Sequence, residues 1–247
     1  MFPIRDHNPS GRTAYVTYAL MAVNIGIFLL QSSALDDVRA TQMLYFQWGL
    51  IPARLTAGEG FITLVTSMFL HGGLFHLAGN MLFLYIFGDN IEDRLGHVKF
   101  LAFYLACGVL AGLAQYAVDP GNRIPMVGAS GAIAGVMGAY LLLFPKARVD
   151  ILIILIVFFR VLPIPAWIML VLWFVMQFIG GVASDNDAAG VAYWAHAGGF
   201  VAGVLLIFPT WIGLGGPMFW QRTHGHPPHP QARYRLGTSR VPKVTRR

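Results

Sequence analysis

Long apolar runs, separated by short polar connections, dominate the pattern of the chain. A helix needs about 20 predominantly apolar residues to cross the hydrocarbon core of a bilayer. The pattern predicts six such membrane spans, at residues 14–33, 76–94, 98–118, 130–144, 165–183 and 191–211. The fourth span is the shortest, so we expect it to begin below the membrane surface.

A further apolar run, ILIILIVFF at residues 151–159, is too short to cross a bilayer as a helix. It is followed by Arg160, Pro163 and Pro165, and proline interrupts helices because it lacks an N–H donor. We interpret the run as an interfacial or packed connector between the fourth and fifth spans.

The amino-acid composition is typical of an integral membrane protein. Hydrophobic residues make up 56% and charged residues 11% of the 247 residues, whereas soluble domains carry about 25% charged residues. The expected fold class is therefore an all-α membrane protein, a six-transmembrane-helix bundle whose immediate partner is the lipid bilayer. The single cysteine, Cys107, lies inside an apolar run, so no internal disulfide is expected.

The basic residues predict the orientation of the bundle. With six spans, fourteen of the seventeen Lys and Arg residues fall on the side that holds both termini: Arg5, Arg12, Arg94, Lys99, Lys146, Arg148, Arg160 and seven residues within 222–247. Arg39, Arg54 and Arg123 fall on the other side. Because cytoplasmic loops carry an excess of Lys and Arg, both termini are predicted to be cytoplasmic. This distribution also argues against a nucleic-acid-binding face despite the net charge of +6.

Three regions follow from this topology. Residues 1–13 form a short cytoplasmic N-terminus without the order of a cleaved signal peptide, which suits a bacterial plasma membrane. Residues 14–211 form the membrane domain, whose outer loop, 34–75, is expected to be ordered at the membrane interface because it is rich in aromatic residues. Residues 212–247 form a basic tail rich in proline and histidine, expected to be disordered and cytoplasmic.

Four polar side chains interrupt the spans, and polar groups are costly inside a bilayer. His76 and Asn80 lie four residues apart, so they share one face of the second helix. Ser130 opens the fourth span, and His196 lies about one turn into the sixth. All four polar side chains, which lie in three spans, fall in the outer half of the membrane under the predicted topology.

Small residues recur at helical spacing beside two of these side chains: Ser130, Ala134 and Gly138 in one helix, and His196, Gly199 and Gly203 in another. Stripes of small residues let membrane helices approach closely. If the two stripes meet, the serine hydroxyl and the imidazole come within hydrogen-bonding distance.

A serine beside a histidine is the minimum arrangement for nucleophilic catalysis, since the imidazole accepts the hydroxyl proton. The fourth and sixth spans contain no acidic residue, so the arrangement would be a dyad. The backbone N–H of Ser130 at a helix start, with His76 and Asn80, could donate to an oxyanion. Gly128 and Gly131 would let a peptide approach without side-chain obstruction. Taken singly, Ser130 is more often a small packing residue, His196 a satisfied buried histidine and Asn80 a hydrogen-bonding residue between helices.

Four motifs in this order resemble those of the rhomboid intramembrane serine proteases: HLAGN (76–80), IEDRLG (91–96), GASG (128–131) and AHAGGFVAG (195–203). A lone GxSG motif is weak, because unrelated hydrolases contain it. Motifs in three separate spans are specific, and the resemblance covers about residues 14–211. The acidic end of the second span, around Glu92 and Asp93, is expected to be solvated.

The resemblance implies Ser130 as the nucleophile and His196 as the general base. It implies His76, Asn80 and the Ser130 backbone N–H as oxyanion donors, in a water-filled cavity open to the outer face. Substrates would be single-span transmembrane proteins cut near the outer end of their helix. No metal and no cofactor are implied.

The resemblance also implies a lateral gate and a cap, formed by the fifth span and the 184–190 loop. The aromatic residues of the fifth span would supply the gate surface: Trp167, Trp173, Phe174 and Phe178.

Two departures from the family pattern are visible. Some members carry a Tyr or Phe that stacks on the histidine where this chain has Ala134, and the outer loop lacks a Trp-Arg pair found in many members.

A non-proteolytic relative that binds transmembrane helices is the alternative, although such relatives usually lose the serine or the histidine. A transporter or channel is disfavoured, because the polar groups cluster at one depth and no inverted repeat is evident.

Overall fold

The computed structural model describes residues 2–155, 158–183 and 192–226. The fold is an all-α membrane bundle with a small antiparallel sheet at one end. Its elements, in chain order, are β1 (Phe2–Asp6), α1 (Tyr15–Leu35), α2 (Val38–Trp48), α3 (Pro52–Thr56), α4 (Thr63–Thr66), the 3₁₀ helix η1 (Ser67–Phe69), α5 (Leu74–Leu95), α6 (His97–Val118), α7 (Ser130–Leu143), β2 (Arg148–Leu155), β3 (Phe158–Pro165), α8 (Ala166–Ala183), α9 (Tyr193–Gly213) and α10 (Pro217–Thr223). The proposed cap loop at 184–190 lies outside the described residues.

Four helices of the described chain, α1, α6, α8 and α9, are each long and apolar enough to cross a membrane. A fifth candidate is the bent pair of Thr63–Phe69 and Leu74–Leu95, whose axes differ by 97°. The predicted fourth span corresponds to α7, which has only 14 residues. Every predicted span thus overlaps a helix, and the count of six membrane crossings stays a prediction.

Helix α7 lies at the centre of the bundle. Ten of its fourteen residues are buried. Because α7 is surrounded by other helices and not by lipid, it does not have to be as long as a membrane-crossing helix. It packs against α5, α6 and α9, and the largest buried cluster of apolar side chains surrounds it. Ser130 is therefore the first residue of a helix that is buried along most of its length.

The described residues of the apolar run at 151–159 belong to two antiparallel strands, β2 and β3, a structure that the interpretation as a connector did not specify. Strand β2 pairs with both β1 and β3, and Asp150 lies opposite Pro163. Strand β3 is one of the two edge strands, and an edge strand tolerates proline where the missing N–H faces away from the ladder. β-branched residues favour the extended conformation, and the prolines exclude a helix.

The carboxylate of Asp150 in β2 contacts side chains of the N-terminal segment. The Asp150 side chain is buried and accepts from Arg5 Nε at 2.6 Å, and it lies 2.9 Å from His7 Nε2. Nearby, the hydroxyl of Tyr140 in α7 donates to Asp6 Oδ2 over 2.6 Å. These contacts fix β1 to the end of α7 opposite Ser130.

Asp6 should make the stability of this end depend on pH. Burial raises the pKa of Asp6 to about 7, although the hydrogen bond from Tyr140 acts in the opposite direction. The folded protein therefore holds the proton more tightly than the unfolded chain, and this contribution to stability falls as pH rises from about 4 to about 7. Asp6→Asn mimics the neutral carboxyl, so its melting temperature should exceed that of the wild type by a few degrees at pH 8 and by less at pH 5. Thermal unfolding in a mild detergent measures both differences, and equal differences at the two pH values would contradict the expectation.

The acidic end of α5 is not simply solvated, contrary to the expectation for Glu92. The Glu92 side chain is 1% exposed. Its carboxylate accepts from the backbone N–H groups of Val16 at 2.9 Å and Thr17 at 2.7 Å, which are among the first amides of α1. A helix leaves these amides unpaired and favours negative charge beside them. Glu92 thus caps α1 from a distant part of the chain, which no local sequence signal indicates.

The loop at 34–75, which is predicted to lie on the outer side, contains α2, α3, α4 and η1. Asp37 caps α2 by accepting from the backbone N–H of Arg39 at 2.8 Å. The backbone of Leu50 forms an isolated antiparallel bridge with Met126, which ties the loop to the segment that precedes Ser130.

The first part of the predicted disordered tail is also ordered. Within residues 212–226, α10 packs back on the bundle through Phe219, which is 5% exposed. Trp220 Nε1 donates to the carbonyl oxygen of Leu142 at 2.9 Å. The expectation of disorder is therefore wrong for this part, because apolar residues of α10 pack against the membrane helices. Residues 227–247 lie outside the described part.

Candidate active site

Ser130 is the first residue of α7, and its position depends on the backbone just before it. Gly128 has a φ of +127°, a conformation that favours glycine. A Cβ placed on Gly128 would lie 2.8 Å from His76 Nε2 and 3.6 Å from Ser130 Oγ. Glycine is thus required by its conformation and by the space that His76 occupies. The Ser130 N–H lies at the start of the helix, where amides have no intrahelical acceptor.

His196 meets Ser130 across the interface between α9 and α7. The distance from His196 Nε2 to Ser130 Oγ is 2.7 Å, within the range of a hydrogen bond. Close contacts between the two helices follow along the same interface, with Gly199 against Gly131, Gly203 against Gly135 and Gly138 against Phe200. The Oγ–Nε2 contact is the geometry that proton transfer from a serine requires.

Interlocking glycines make this close approach possible. A Cβ on Gly199 would collide with the carbonyl oxygen of Gly131, and one on Gly203 would collide with that of Gly135. Gly131 itself faces α6, where a Cβ would come within 2.6 Å of the Ala111 Cβ. Any larger residue at these positions would push α9 or α6 away from the helix that begins with Ser130.

His76 and Asn80 lie on one face of α5, beside the same cavity. The backbone N–H of Gly72 donates to His76 Nδ1 over 3.3 Å, which in a neutral ring leaves the proton on Nε2. Asn80 is 7% exposed, and its Nδ2 has no hydrogen-bond partner within the described residues. A buried amide without an acceptor is costly, so Asn80 supplies a donor that a ligand could use.

A cavity of about 490 Å³ connects these groups. Its lining includes Ser130, His196, His76 and Asn80, together with Gln115 and Trp173. Residues of α5, α7, α8 and α9 all contribute to the wall, so the cavity lies between separate helices. Among the lining residues, the two histidines are the side chains that can titrate near neutral pH.

Two residues of α8, Gln177 and Trp173, contact the His196 ring, and Gln177 was not among the predicted site residues. Gln177 Oε1 lies 2.8 Å from His196 Nδ1. The Trp173 ring lies 5.8 Å from the His196 ring, centroid to centroid, at an angle of 33°. Gln177 is a polar residue inside an apolar span, and the cost of such residues was the signal that could have identified it. Trp173 was expected only as part of a gate surface.

His71 packs beside the site rather than lining it. Its ring is fully buried and meets the His76 ring edge to face at 5.2 Å between centroids. The carbonyl oxygen of His71 accepts from the Gln31 side chain and, at 3.0 Å, from the Tyr45 hydroxyl. This agrees with a structural role that supports the loop before His76.

Comparison with known proteins identifies relatives of the chain. A model of the rhomboid domain family matches residues 58–212. The chain is 30% identical over 207 residues to "Rhomboid protein 1, mitochondrial" of Saccharomyces cerevisiae, with 77% of this chain and 51% of the yeast protein covered. It is 37% identical over 135 residues to the human "Presenilin-associated rhomboid-like protein, mitochondrial", with 54% and 34% covered.

A bacterial relative is the "Rhomboid protease GluP" of Bacillus subtilis, 34% identical over 125 residues, with 51% of this chain and 24% of that protein covered. The chain therefore spans about half or less of the length of these curated relatives. The family match nevertheless extends over more than half of the chain and includes α5 to α9. Together with the helical membrane bundle, it shows that the chain belongs to the rhomboid family of integral, multi-pass membrane proteins.

Proposed function

We propose that the protein is an intramembrane serine endopeptidase that hydrolyses peptide bonds in or near the transmembrane segments of membrane proteins. The observation that carries the proposal is the 2.7 Å contact between Ser130 Oγ and His196 Nε2 inside a cavity among the membrane helices. A serine and a histidine at this distance can act as nucleophile and general base. The name of the Bacillus subtilis relative, a rhomboid protease, supports the same class of reaction.

The first half of the reaction forms an ester with Ser130. His196 Nε2 takes the hydroxyl proton while Oγ attacks the carbonyl carbon of the substrate, giving a tetrahedral intermediate. The C–N bond then breaks, and His196 returns the proton to the leaving amine. In the second half, water attacks the ester with His196 as base, which releases the new carboxyl end and restores Ser130.

Three donors can stabilise the oxyanion of the tetrahedral intermediate. These are the backbone N–H of Ser130, the Nε2–H of His76 and the Nδ2 amide of Asn80. The last has no partner within the described residues, so its hydrogen bond to an oxyanion would satisfy a group that is otherwise buried and unpaired. Donors prepared in this way stabilise the transition state without reorganisation.

Asn80→Leu should lower kcat for peptide cleavage by about 10- to 1,000-fold with little change in KM, because the lost interaction forms mainly in the transition state. Leucine keeps the approximate volume of the side chain and removes the donor. The matched control is Asn24→Leu, since Asn24 is also buried in a membrane helix but donates to the carbonyl of Leu20 and does not line the cavity. A rise in KM at constant kcat would mean that Asn80 binds the ground state instead.

The substrate proposal follows from where the dyad lies. An α-helix keeps its amides in internal hydrogen bonds, so a transmembrane substrate must unwind locally before a peptide carbonyl can reach Ser130. Single-span proteins with helix-weakening residues near one end satisfy this need. The distribution of Lys and Arg predicts that both termini of the protease are cytoplasmic. Under this topology, the end of the substrate helix that is cut lies on the outer face of the membrane. A bacterial plasma membrane stays a prediction, and the relatives named above include mitochondrial proteins.

The test is cleavage of a purified single-span reporter by the protein in liposomes. The expected result is two fragments, with the cut near one end of the transmembrane segment. If the reporter binds but stays intact, the protein is a non-proteolytic binder of transmembrane helices, and the proposal is wrong.

A further inference from the structure

We propose that Gln177 positions His196 for proton transfer, so that the orientation of the general base depends on helix α8. This inference rests on the proposed protease function. It concerns a residue outside the Ser130–His196 pair.

The two nitrogens of the His196 ring have different partners. Nε2 lies 2.7 Å from Ser130 Oγ, and Nδ1 lies 2.8 Å from Gln177 Oε1. An amide oxygen can only accept, so Nδ1 must carry the proton. In a neutral imidazole the lone pair is then on Nε2, the nitrogen that faces Ser130. Gln177 thus selects the tautomer that can act as a base, a task that a carboxylate performs in a triad.

The second contact limits rotation of the ring. Trp173 lies four residues before Gln177 on the same face of α8, and its ring lies 5.8 Å from the His196 ring, at an angle of 33°. In the position where some family members carry a stacking aromatic residue, this chain has Ala134, which is fully buried in α7. The aromatic contact with the His196 ring therefore comes from Trp173 of α8.

Helix α8 is suited to such coupling because its own packing is sparse. Of its described residues only three, Ala166, Leu170 and Gly181, are buried. It packs mainly on α9, where a Cβ on Gly180 or Gly181 would come within 3.0 Å of the Tyr193 or Trp194 ring. A displacement of α8 away from α9 would remove Gln177 and Trp173 from His196 together. The same helix supplies one wall of the cavity through Trp173.

Two replacements at position 177 test the role of the amide oxygen in steady-state cleavage of a transmembrane reporter. Gln177→Met keeps the length of the side chain and removes the acceptor. We expect it to lower kcat by at least about 10-fold and to leave KM nearly unchanged. The loss should be smaller than the ~10⁴-fold decrease in kcat that follows from a wrongly oriented histidine in a triad. Gln177→Glu keeps an acceptor at the same place, so we expect it to recover most of the lost rate.

The pH profile separates positioning from general structural support. A carboxylate at position 177 would stabilise the imidazolium form of His196, so the acidic limb of the kcat/KM profile of Gln177→Glu should move to higher pH by about 1 unit or more. His76 is the other titratable side chain among the residues that line the cavity, and it is unchanged in every variant. The matched control is Met176→Ala, one residue away on α8 and 52% exposed, which should retain the wild-type rate and profile.

The outcomes separate the two proposals. If wild-type protein fails to cleave the reporter, the proposed function fails. If the wild type cleaves and Gln177→Met has wild-type kcat, or changes only KM, the positioning role is wrong and the protease function stands. A Gln177→Glu variant that melts like the wild type but shows neither recovered rate nor a shifted profile would also overturn the positioning role.

Discussion

Ser130→Ala should lower the rate of reporter cleavage by at least ~1,000-fold, because the hydroxyl that attacks the peptide carbonyl is absent. The residual rate would come from substrate positioning and from the oxyanion donors. Alanine is a better helix former than serine, and α7 begins at this residue, so the fold should survive the change. Initial rates in liposomes, with thermal unfolding as the check on folding, measure the effect.

The control for this variant is Ser32→Ala. Ser32 is exposed in α1, where its hydroxyl donates to the carbonyl of Leu29 at 2.7 Å, and it does not line the cavity. The Ser32→Ala variant should cleave the reporter at the wild-type rate. Substantial cleavage by Ser130→Ala, above a few per cent of wild type, would exclude Ser130 as the nucleophile.

Gly203→Ala should disrupt the contact between α7 and α9, although the change adds only one methyl group. A Cβ at this position would collide with the carbonyl oxygen of Gly135, and backbone atoms cannot turn aside as a flexible side chain can. Overpacking of this kind costs roughly 1–3 kcal/mol, and occasionally more. Because His196 lies on the same helix two turns earlier, separation of the helices should also lengthen the Oγ–Nε2 contact and reduce activity.

The matched control lies on the same helix. A Cβ on Gly213 meets nothing within 4 Å, so Gly213→Ala should keep activity and gain slightly from the higher helix propensity of alanine. Thermal unfolding in detergent compares the two variants with the wild type. Equal melting temperatures for Gly203→Ala and Gly213→Ala would contradict the proposed packing role of Gly203.

The helices were predictable because membrane spans leave a strong signal in one sequence. Each of the six predicted spans overlaps a helix, and the spacing of small residues beside Ser130 and His196 predicted a close approach of their two helices. That spacing is local information, since residues three and four apart share a helix face. The close pairing of the two side chains could therefore be anticipated without knowledge of the full packing.

Other features depend on contacts between distant segments, for which one sequence carries little signal. Glu92 caps a helix that begins some 75 residues earlier. Ile151 and Leu152, at the start of the apolar run, pair with the N-terminal strand, a register that the apolar composition does not specify. Gln177 contacts His196, which lies 19 residues later in the chain and on another helix, and periodicity within one helix does not predict such a contact. Polar residues inside apolar spans were the available signal, and applying it to Gln177 as well would have extended the predicted site.

The most direct test of the account is the site of covalent reaction with a fluorophosphonate. The probe should label purified wild-type protein in detergent, and mass spectrometry of its peptides should place the adduct on Ser130. His196→Ala should abolish labelling although Ser130 is present, because its hydroxyl then has no base. Absence of an adduct on Ser130 in the wild type, or equal labelling with and without His196, would contradict the Ser130–His196 mechanism.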